Sequence, residues 1–173
     1  MSALLFKNAR LIDPEAGTDR LGTLAVRDGK IAGPTGMDDA SVIDCEGKCL
    51  APGIVDIGVK VSEPGERHKE SFRSAGLAAA AGGVTTMVTR PDTTPAIDTP
   101  EVLEFVRRRA NEASPVRVLP MAALTRGRKG REMAEIGFLM DAGAVAFTDC
   151  DSVITDTKVF TRCMTYATAR GAG

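Results

Sequence analysis

The sequence is poor in the residues that usually mark a metal site, a membrane span or a nucleic-acid surface. It contains one histidine and no tryptophan among 173 residues. Its net charge of −1 lacks the basic excess that nucleic-acid binding needs. No apolar run approaches the roughly 20 residues of a membrane span, and the amino terminus lacks the pattern of a signal peptide. We therefore expect a cytoplasmic globular protein without nucleic-acid or membrane partners.

The cysteines do not form a C-x-x-C pair, and a single histidine is available to join them in a metal site. Two of them are four residues apart, a spacing that places both on one face of a strand. Buried reduced thiols are the preferred interpretation, and a zinc site is the less favoured one. The four residues are Cys45, Cys49, Cys150 and Cys163.

The first fifty residues predict short strands and turns, and the rest of the chain predicts strands alternating with helices. Asp28-Gly29 favours a tight hairpin turn because glycine tolerates positive φ. Four alternating units predict a parallel sheet with crossover helices. They are GIVDIGVKV with KESFRSAGLAAAAGG, VTTMVTR with TPEVLEFVRRRANEA, VRVLPMAAL with GREMAEIGFLMDAG, and AVAFTD with TDTKVFTRCMTYATARG.

The helix after Thr99 is the most clearly delimited one. Thr99 can cap it, Pro100 suits its first position, and Glu101 complements the positive end of its dipole. Four such units are half of the eight that close a (β/α) barrel. The residues RGAG at 170–173 indicate the end of a helix, after which another strand is expected. We therefore expect a fragment, or a chain that needs the remaining half of the barrel or another copy.

Four stretches carry a resemblance to a known family. They are LIDPEAGTDRLGTLAVRDGKIA, CLAPGIVDIGVKVSEPGERHKESF, AAAAGGVTTMVTRPDTTPAIDTPEVLEFV and AALTRGRKGREMAEIGFLMDAGAVAFTD. Together they strongly resemble dihydroorotase of the cyclic amidohydrolase type, in the family's order and spacing. The resemblance implies an α/β fold: residues 1–51 form part of a composite β-sandwich, and 52–173 form the first four units of a (β/α)8 barrel whose second half is absent. It also implies reversible ring closure of carbamoyl aspartate to dihydroorotate in pyrimidine synthesis.

The family's reaction uses zinc, which polarises the amide carbonyl and lowers the pKa of a bound water to about 7. The resemblance places the first two zinc ligands in the pattern D-x-H-x-H-x-R-x-P-G. Gly58 and Lys60 stand at the two histidine positions. Glycine offers no side chain, and a protonated lysine has no lone pair for a metal. Ser62 replaces a substrate-binding arginine, so a carboxylate clamp is also lost. We interpret His68 as an exposed loop residue that cannot replace the pair.

Two further motif positions depart from the family. Asp92 stands where the asparagine of M-P-N-T contacts substrate, and its charge would oppose the substrate's own carboxylates. The metal-ligand aspartate of F-S-D-D-G aligns best with Cys150, while a shift of one residue would give Asp149 or Asp151. The residues at this strand end therefore stay open as weak metal-ligand candidates.

Lys60 has three interpretations. A carbamylated, metal-bridging lysine is disfavoured, because relatives place theirs on the fourth strand. An ordinary solvated lysine is the second. In the third, its ammonium occupies the position of the metal and pairs with Asp149 or Asp151, neutralising carboxylates otherwise left without a cation.

Taken together, these substitutions predict a pseudoenzyme without an intact catalytic, metal-binding or substrate-binding residue and without a cofactor. Inactive dihydroorotase-like chains of some bacteria associate with aspartate transcarbamoylase, so the resemblance suggests a structural partnership with the catalytic chain of that enzyme. The alternative is an active zinc-dependent dihydroorotase, or a related cyclic amidohydrolase, with ligands in the absent half. A truncated piece without independent function is the third interpretation.

Overall fold

The computed structural model describes residues 3–172 and divides the chain into two compact units, with the division between Pro52 and Gly53. The boundary expected from the sequence lies one residue earlier. The first unit is a β-sheet, and the second alternates strands with helices, so the chain as a whole is mixed α/β. No helix in residues 3–172 is long and apolar enough to cross a membrane.

The first unit is a five-stranded sheet around the long strand β1. Its order is β3-β2-β1-β4, and β5 also pairs with β1. Asp28 and Gly29 both have positive φ and join β2 to β3, which confirms the predicted hairpin. Both take this conformation because a two-residue turn between twisted antiparallel strands requires it. The strands are β1 (Ala3–Asp13), β2 (Thr18–Arg27), β3 (Lys30–Ala32), β4 (Ser41–Asp44) and β5 (Cys49–Leu50).

The second unit contains a parallel sheet of order β6-β7-β8 with its connecting helices. The expected fourth strand is irregular: it forms one parallel bridge, Ala122 to Phe147, and Val145 N–H donates to the Pro120 carbonyl at 3.1 Å. The alternation of strands and helices is confirmed for the three regular strands. The elements are β6 (Ile54–Val59), α1 (Phe72–Ala81), β7 (Val84–Thr89), α2 (Pro100–Ala113), β8 (Arg117–Pro120), α3 (Ile136–Asp141) and α4 (Thr157–Ala169).

The helix predicted over residues 130–143 is shorter than expected. Only Ile136–Asp141 is α-helical, after a single 3-10 turn at Arg126–Arg128. The segment between them pairs with the residues that follow β8: Arg126 N–H donates to Glu132 O at 2.8 Å, and Ala134 N–H donates to Leu124 O at 3.0 Å. These backbone groups therefore pair across a loop instead of along a helix. In α4, the predicted glycine signal lies at Gly171, where φ is +72°, and Gly173 lies outside the described residues.

Helix α2 begins after Thr99 with proline in its first turn, as predicted. In the described structure the Thr99 side chain makes no capping hydrogen bond. The helix buries Leu103 and Val106 completely against the sheet, and burying such a side chain contributes about 1.5–3 kcal/mol. Phe105 is exposed, and the guanidinium of Arg108 lies 6.0 Å from its ring centre.

All four cysteines are free, but only Cys163 is buried. Cys45 and Cys150 are half-buried and Cys49 is exposed. The prediction of buried thiols is therefore right for one residue and wrong for three. The sequence does not reveal that the first unit has a small core, so the short strand carrying Cys49 leaves its thiol accessible.

Candidate functional site

The candidate site lies at the carboxyl ends of the parallel strands, the edge where ligands usually bind in α/β sheets. Val59 pairs with Thr89 at the ends of β6 and β7. Arg90 N–H donates to the Val59 carbonyl at 2.9 Å, which keeps the two chains together one residue further. Lys60 and Arg90 therefore leave adjacent strands at the same level.

At this edge, Asp92 interacts with two cationic side chains. Arg90 Nε donates to its Oδ1 at 3.1 Å, and Arg90 Nη2 donates to its Oδ2 at 2.9 Å. Lys60 Nζ lies 3.0 Å from the same Oδ2. The Asp92 side chain is 3% exposed, whereas that of Lys60 is 56% exposed. Burial raises the pKa of Asp92, but the interactions with Lys60 and Arg90 outweigh it and hold the pKa below its ordinary value.

Cys150 lies beside this ion cluster. Burial raises the pKa of its thiol, the charge of Asp92 raises it further, and the guanidinium of Arg90 opposes both. The net effect is a raised pKa, so the thiol is protonated at neutral pH and adds no charge. We call Lys60, Arg90, Asp92 and Cys150 the Asp92 cluster. Three of the sequence-predicted positions therefore meet here, together with one residue that the sequence analysis did not single out.

Asp149 is buried at the same sheet edge, with 5% exposure, but it has different partners. The N–H groups of Leu124 and Thr125 donate to its Oδ1 at 3.0 and 2.9 Å, and the Thr125 hydroxyl donates to its Oδ2. Gly130 N–H donates to that same hydroxyl oxygen at 2.8 Å. Asp149 therefore holds the segment after β8 in place.

Asp151 forms an exposed ion pair with Arg128. Arg128 also donates to the Asp149 carbonyl at 3.2 Å and to Ser152 Oγ at 3.3 Å. The predicted pairing of Lys60 with Asp149 or Asp151 is therefore wrong. Each of those carboxylates is engaged by donors from the segment after β8, while Asp92, on the neighbouring strand end, lies within reach of the lysine.

Gly58 has a backbone conformation that glycine adopts easily and other residues do not. Its φ is +92°, and the pairing of β6 with β7 shifts register between Ile57 and Val59. A Cβ atom built on Gly58 would meet no atom within 4 Å. A side chain at this position is therefore opposed by backbone conformation and not by crowding.

The residues at this edge do not fit a zinc ion. Zinc needs about three nitrogen, oxygen or sulfur ligands with free lone pairs. Gly58 has none, Lys60 is a cation, and both oxygens of Asp92 already accept from cationic donors. Within residues 3–172, no group of three or more His, Cys, Asp or Glu side chains is arranged to hold a metal ion.

The loop after β6 carries the two other predicted positions. Ser62 is half-buried, and His68 is exposed, which confirms its interpretation as a loop residue. Glu63 anchors this loop and was missed by the sequence analysis: it accepts from Phe72 N–H at 3.1 Å and from Arg109 Nε at 3.2 Å. Arg90 was missed too, although its place directly after β7 matches that of Lys60 after β6 and could have identified it.

The sequence is similar to one described family over most of its length. A family model described as "Dihydro-orotase-like" matches residues 47–171. "Dihydroorotase" of Sulfurihydrogenibium sp. (strain YO3AOP1) is 37% identical over 172 residues, covering 97% of this chain and 41% of that protein. "Dihydroorotase-like protein" of Pseudomonas putida is 40% identical over 163 residues, covering 92% and 38%. The chain thus spans about two fifths of the length of these relatives.

Among solved structures, the fold is similar to that of "L-Hydantoinase (Dihydropyrimidinase) from Arthrobacter aurescens", with a TM-score of 0.83. The superposition covers 99% of this chain and 40% of that one, at 24% sequence identity. This likeness concerns the course of the backbone. The two relatives named above differ in name at almost equal identity, so the degree of similarity alone does not separate the kinds of function those names describe.

Proposed function

Because the chain belongs to the dihydroorotase-like family of the amidohydrolase superfamily, we propose that it forms part of a non-catalytic dihydroorotase-like scaffold of pyrimidine biosynthesis. The observation that carries the proposal is that Lys60 and Arg90 both form ion pairs with Asp92, at the strand ends where the family places its metal. Two fixed cations beside a saturated carboxylate repel a divalent ion. The left-handed backbone of Gly58 supports the same conclusion.

The proposal includes a finer architecture than mixed α/β. The first unit would contribute to a composite β-sandwich, and the second would supply the first four strand–helix units of a (β/α)8 barrel. The likeness to the hydantoinase backbone supports this arrangement. So does β6, which pairs only with β7 in the described residues and exposes Ile54, Val55 and Ile57. Further strands of a longer natural chain, or of another copy, would cover such residues.

We place the scaffold beside aspartate transcarbamoylase, in the cytoplasm, where it would support assembly of that enzyme's catalytic chain. The family resemblance is the basis of this partnership. The alternative is an active zinc-dependent cyclic amidohydrolase, which the 37% identity to a protein named "Dihydroorotase" favours. That alternative requires ligands from outside this chain to replace those absent at Gly58 and Lys60.

The deciding experiment measures dihydroorotase turnover and bound zinc in the full-length natural protein, with zinc added. We expect no turnover and far less than one zinc ion per chain. A Gly58→His, Lys60→His variant, measured beside it, restores both side chains, although the backbone at residue 58 opposes the first. Zinc-dependent turnover by the natural protein would reject the non-catalytic assignment.

The partnership needs a separate measurement. Light scattering during size-exclusion chromatography would follow the full-length protein mixed with the catalytic chain of aspartate transcarbamoylase from the same organism. Co-elution as a complex of defined mass is the expected result. Separate elution of the two proteins would reject the partnership while leaving the non-catalytic assignment in place.

A further inference from the structure

We propose that the Asp92 cluster binds a small carboxylate anion at the strand ends where the family would hold a metal cation. The inference extends the proposed function and rests on its non-catalytic assignment. The loss of metal ligands alone would leave these strand ends without a ligand. Here they receive a small carboxylate anion.

The cations of the cluster have more donors than Asp92 uses. Lysine carries three N–H donors and arginine five. Lys60 directs one interaction at Asp92, and Arg90 directs two, through Nε and Nη2. The Lys60 side chain is 56% exposed and that of Arg90 is 29% exposed. Donors on both residues therefore stay available to a molecule that arrives from solvent.

Asp92 serves as an internal anion and not as a ligand for a cation. Its side chain is 3% exposed and both its oxygens accept from cationic groups. An incoming cation would meet Lys60 before it met the carboxylate. An incoming anion would meet the free side of Lys60, which Asp92 already orients.

The balance of charge favours a single carboxylate. Lys60 and Arg90 together exceed Asp92 by one positive charge, and the protonated thiol of Cys150 adds none. One carboxylate group cancels that excess, whereas a doubly charged phosphate would exceed it. Among the described residues, the charged neighbours have close partners of their own: Arg128 pairs with Asp151, Lys69 with Glu66, and Asp149 with the donors of Leu124 and Thr125. Glu66 also feels the charge of Lys60, but its direct partner is Lys69.

The test is calorimetric titration of the full-length natural protein with acetate, with inorganic phosphate and zinc chloride as parallel titrants. Lys60→Met removes a free cation and should weaken acetate binding by about tenfold, equal to about 1.4 kcal/mol. Lys48→Met, in the first unit, is the matched control, because Lys48 is exposed, at 77%, and also pairs with a carboxylate. Its acetate affinity should match that of the natural protein.

Asp92→Asn should strengthen anion binding instead of weakening it, and so it distinguishes an anion site from a simple ion pair. The amide keeps the shape of the side chain but removes the internal anion, so acetate should bind several-fold more tightly. Circular dichroism of each variant would establish that it is folded. If Asp92→Asn does not fold, the comparison of Lys60→Met with Lys48→Met still decides the question.

Three results would overturn the proposal: no acetate binding by the natural protein, equal weakening in Lys60→Met and Lys48→Met, or tighter binding of phosphate than of acetate. Stoichiometric zinc binding that Lys60→Met strengthens would overturn it as well. The outcomes separate the two proposals. An inactive protein that binds no acetate rejects the anion site alone, whereas zinc-dependent turnover rejects the proposed function.

Discussion

Asp149 and Asp92 are two buried carboxylates at the same edge of one sheet, and they are stabilised in different ways. Asp149 is held by two backbone N–H groups and a hydroxyl from the segment that follows β8. Asp92 is held by two cationic side chains that follow β6 and β7. The first arrangement fixes the path of the backbone, and the second connects two strand ends by charge.

The donors to Asp149 help to maintain the fold, whereas the partners of Asp92 set the charge at this edge of the sheet. Two of the three donors to Asp149 are backbone N–H groups, which side-chain substitution leaves in place, so its environment depends mainly on its own side chain and on the hydroxyl of Thr125. The environment of Asp92 depends on Lys60 and Arg90, which substitution can change without altering the chain path. We therefore expect mutations near Asp149 to act on stability and mutations near Asp92 to act mainly on binding.

The largest expected effect is that of Asp149→Ala. It leaves the buried N–H groups of Leu124 and Thr125 without their acceptor, and each such loss costs about 1–3 kcal/mol. Chemical denaturation of the full-length protein should show a loss of about 4 kcal/mol in the free energy of unfolding. Asp151→Ala, whose side chain is 75% exposed, is the control and should cost under about 1 kcal/mol. Equal losses of unfolding free energy in the two variants would contradict the structural role of Asp149.

Arg90→Met should have the next largest effect. It removes the two-pronged contact to a buried carboxylate and leaves Asp92 with Lys60 as its remaining cation. We expect a loss of about 2 kcal/mol, below the usual cost of leaving a buried charge entirely unpaired. Arg108→Met, on the exposed face of α2, should change the unfolding free energy by under about 0.5 kcal/mol. A loss as small as in that control would show that Lys60 alone suffices.

Lys60→Met should affect stability less than Arg90→Met does. Its pair with Asp92 is half-exposed on the lysine side, and exposed pairs contribute about 1 kcal/mol or less. Thermal or chemical unfolding should therefore show at most this loss, while acetate affinity changes about tenfold. A stability loss larger than that of Arg90→Met would mean that Lys60 is the main partner of Asp92.

The smallest expected effect is a dependence on pH. The cations hold the pKa of Asp92 below its ordinary value of 3.8, so the carboxylate contributes stability above pH 3.8 and loses it as the pH falls through its lowered pKa. The difference in unfolding free energy between the natural protein and Asp92→Asn should therefore be constant from pH 7 to about pH 5. It should shrink below pH 3.8. A difference that grows on acidification would contradict the sign.

Local sequence signals predicted the fold where one or two residues control the backbone. Asp28-Gly29 predicted its hairpin and Thr99-Pro100 predicted the start of α2, because turn and helix-start preferences act within a few residues. The segment before α3 was predicted wrongly, since its backbone pairs with the residues that follow β8, and its sequence pattern does not reveal that pairing. The irregular fourth strand likewise depends on pairing partners that a single segment does not specify.

The sequence predicted most of the residues of the candidate site, but not which of them form ion pairs with each other. Lys60, Asp92 and Cys150 were identified because they stand at motif positions of the family that the sequence resembles. The partner of Lys60 was wrong because the pattern does not show that Leu124 and Thr125 already occupy Asp149. The positive φ of Gly58 could not be predicted either, because glycine is also found in ordinary strands.

The conformation of Gly58 has a consequence for evolution as well as for chemistry. A left-handed residue other than glycine costs roughly 1–2 kcal/mol, so a mutation that introduces histidine at this position carries a penalty before it brings any benefit. Metal binding would also require a second change, at Lys60, and the release of Asp92 from its two cations. Under the proposed non-catalytic assignment, a metal site would therefore arise only through intermediates that are less stable and still lack the metal, and selection would oppose each of them.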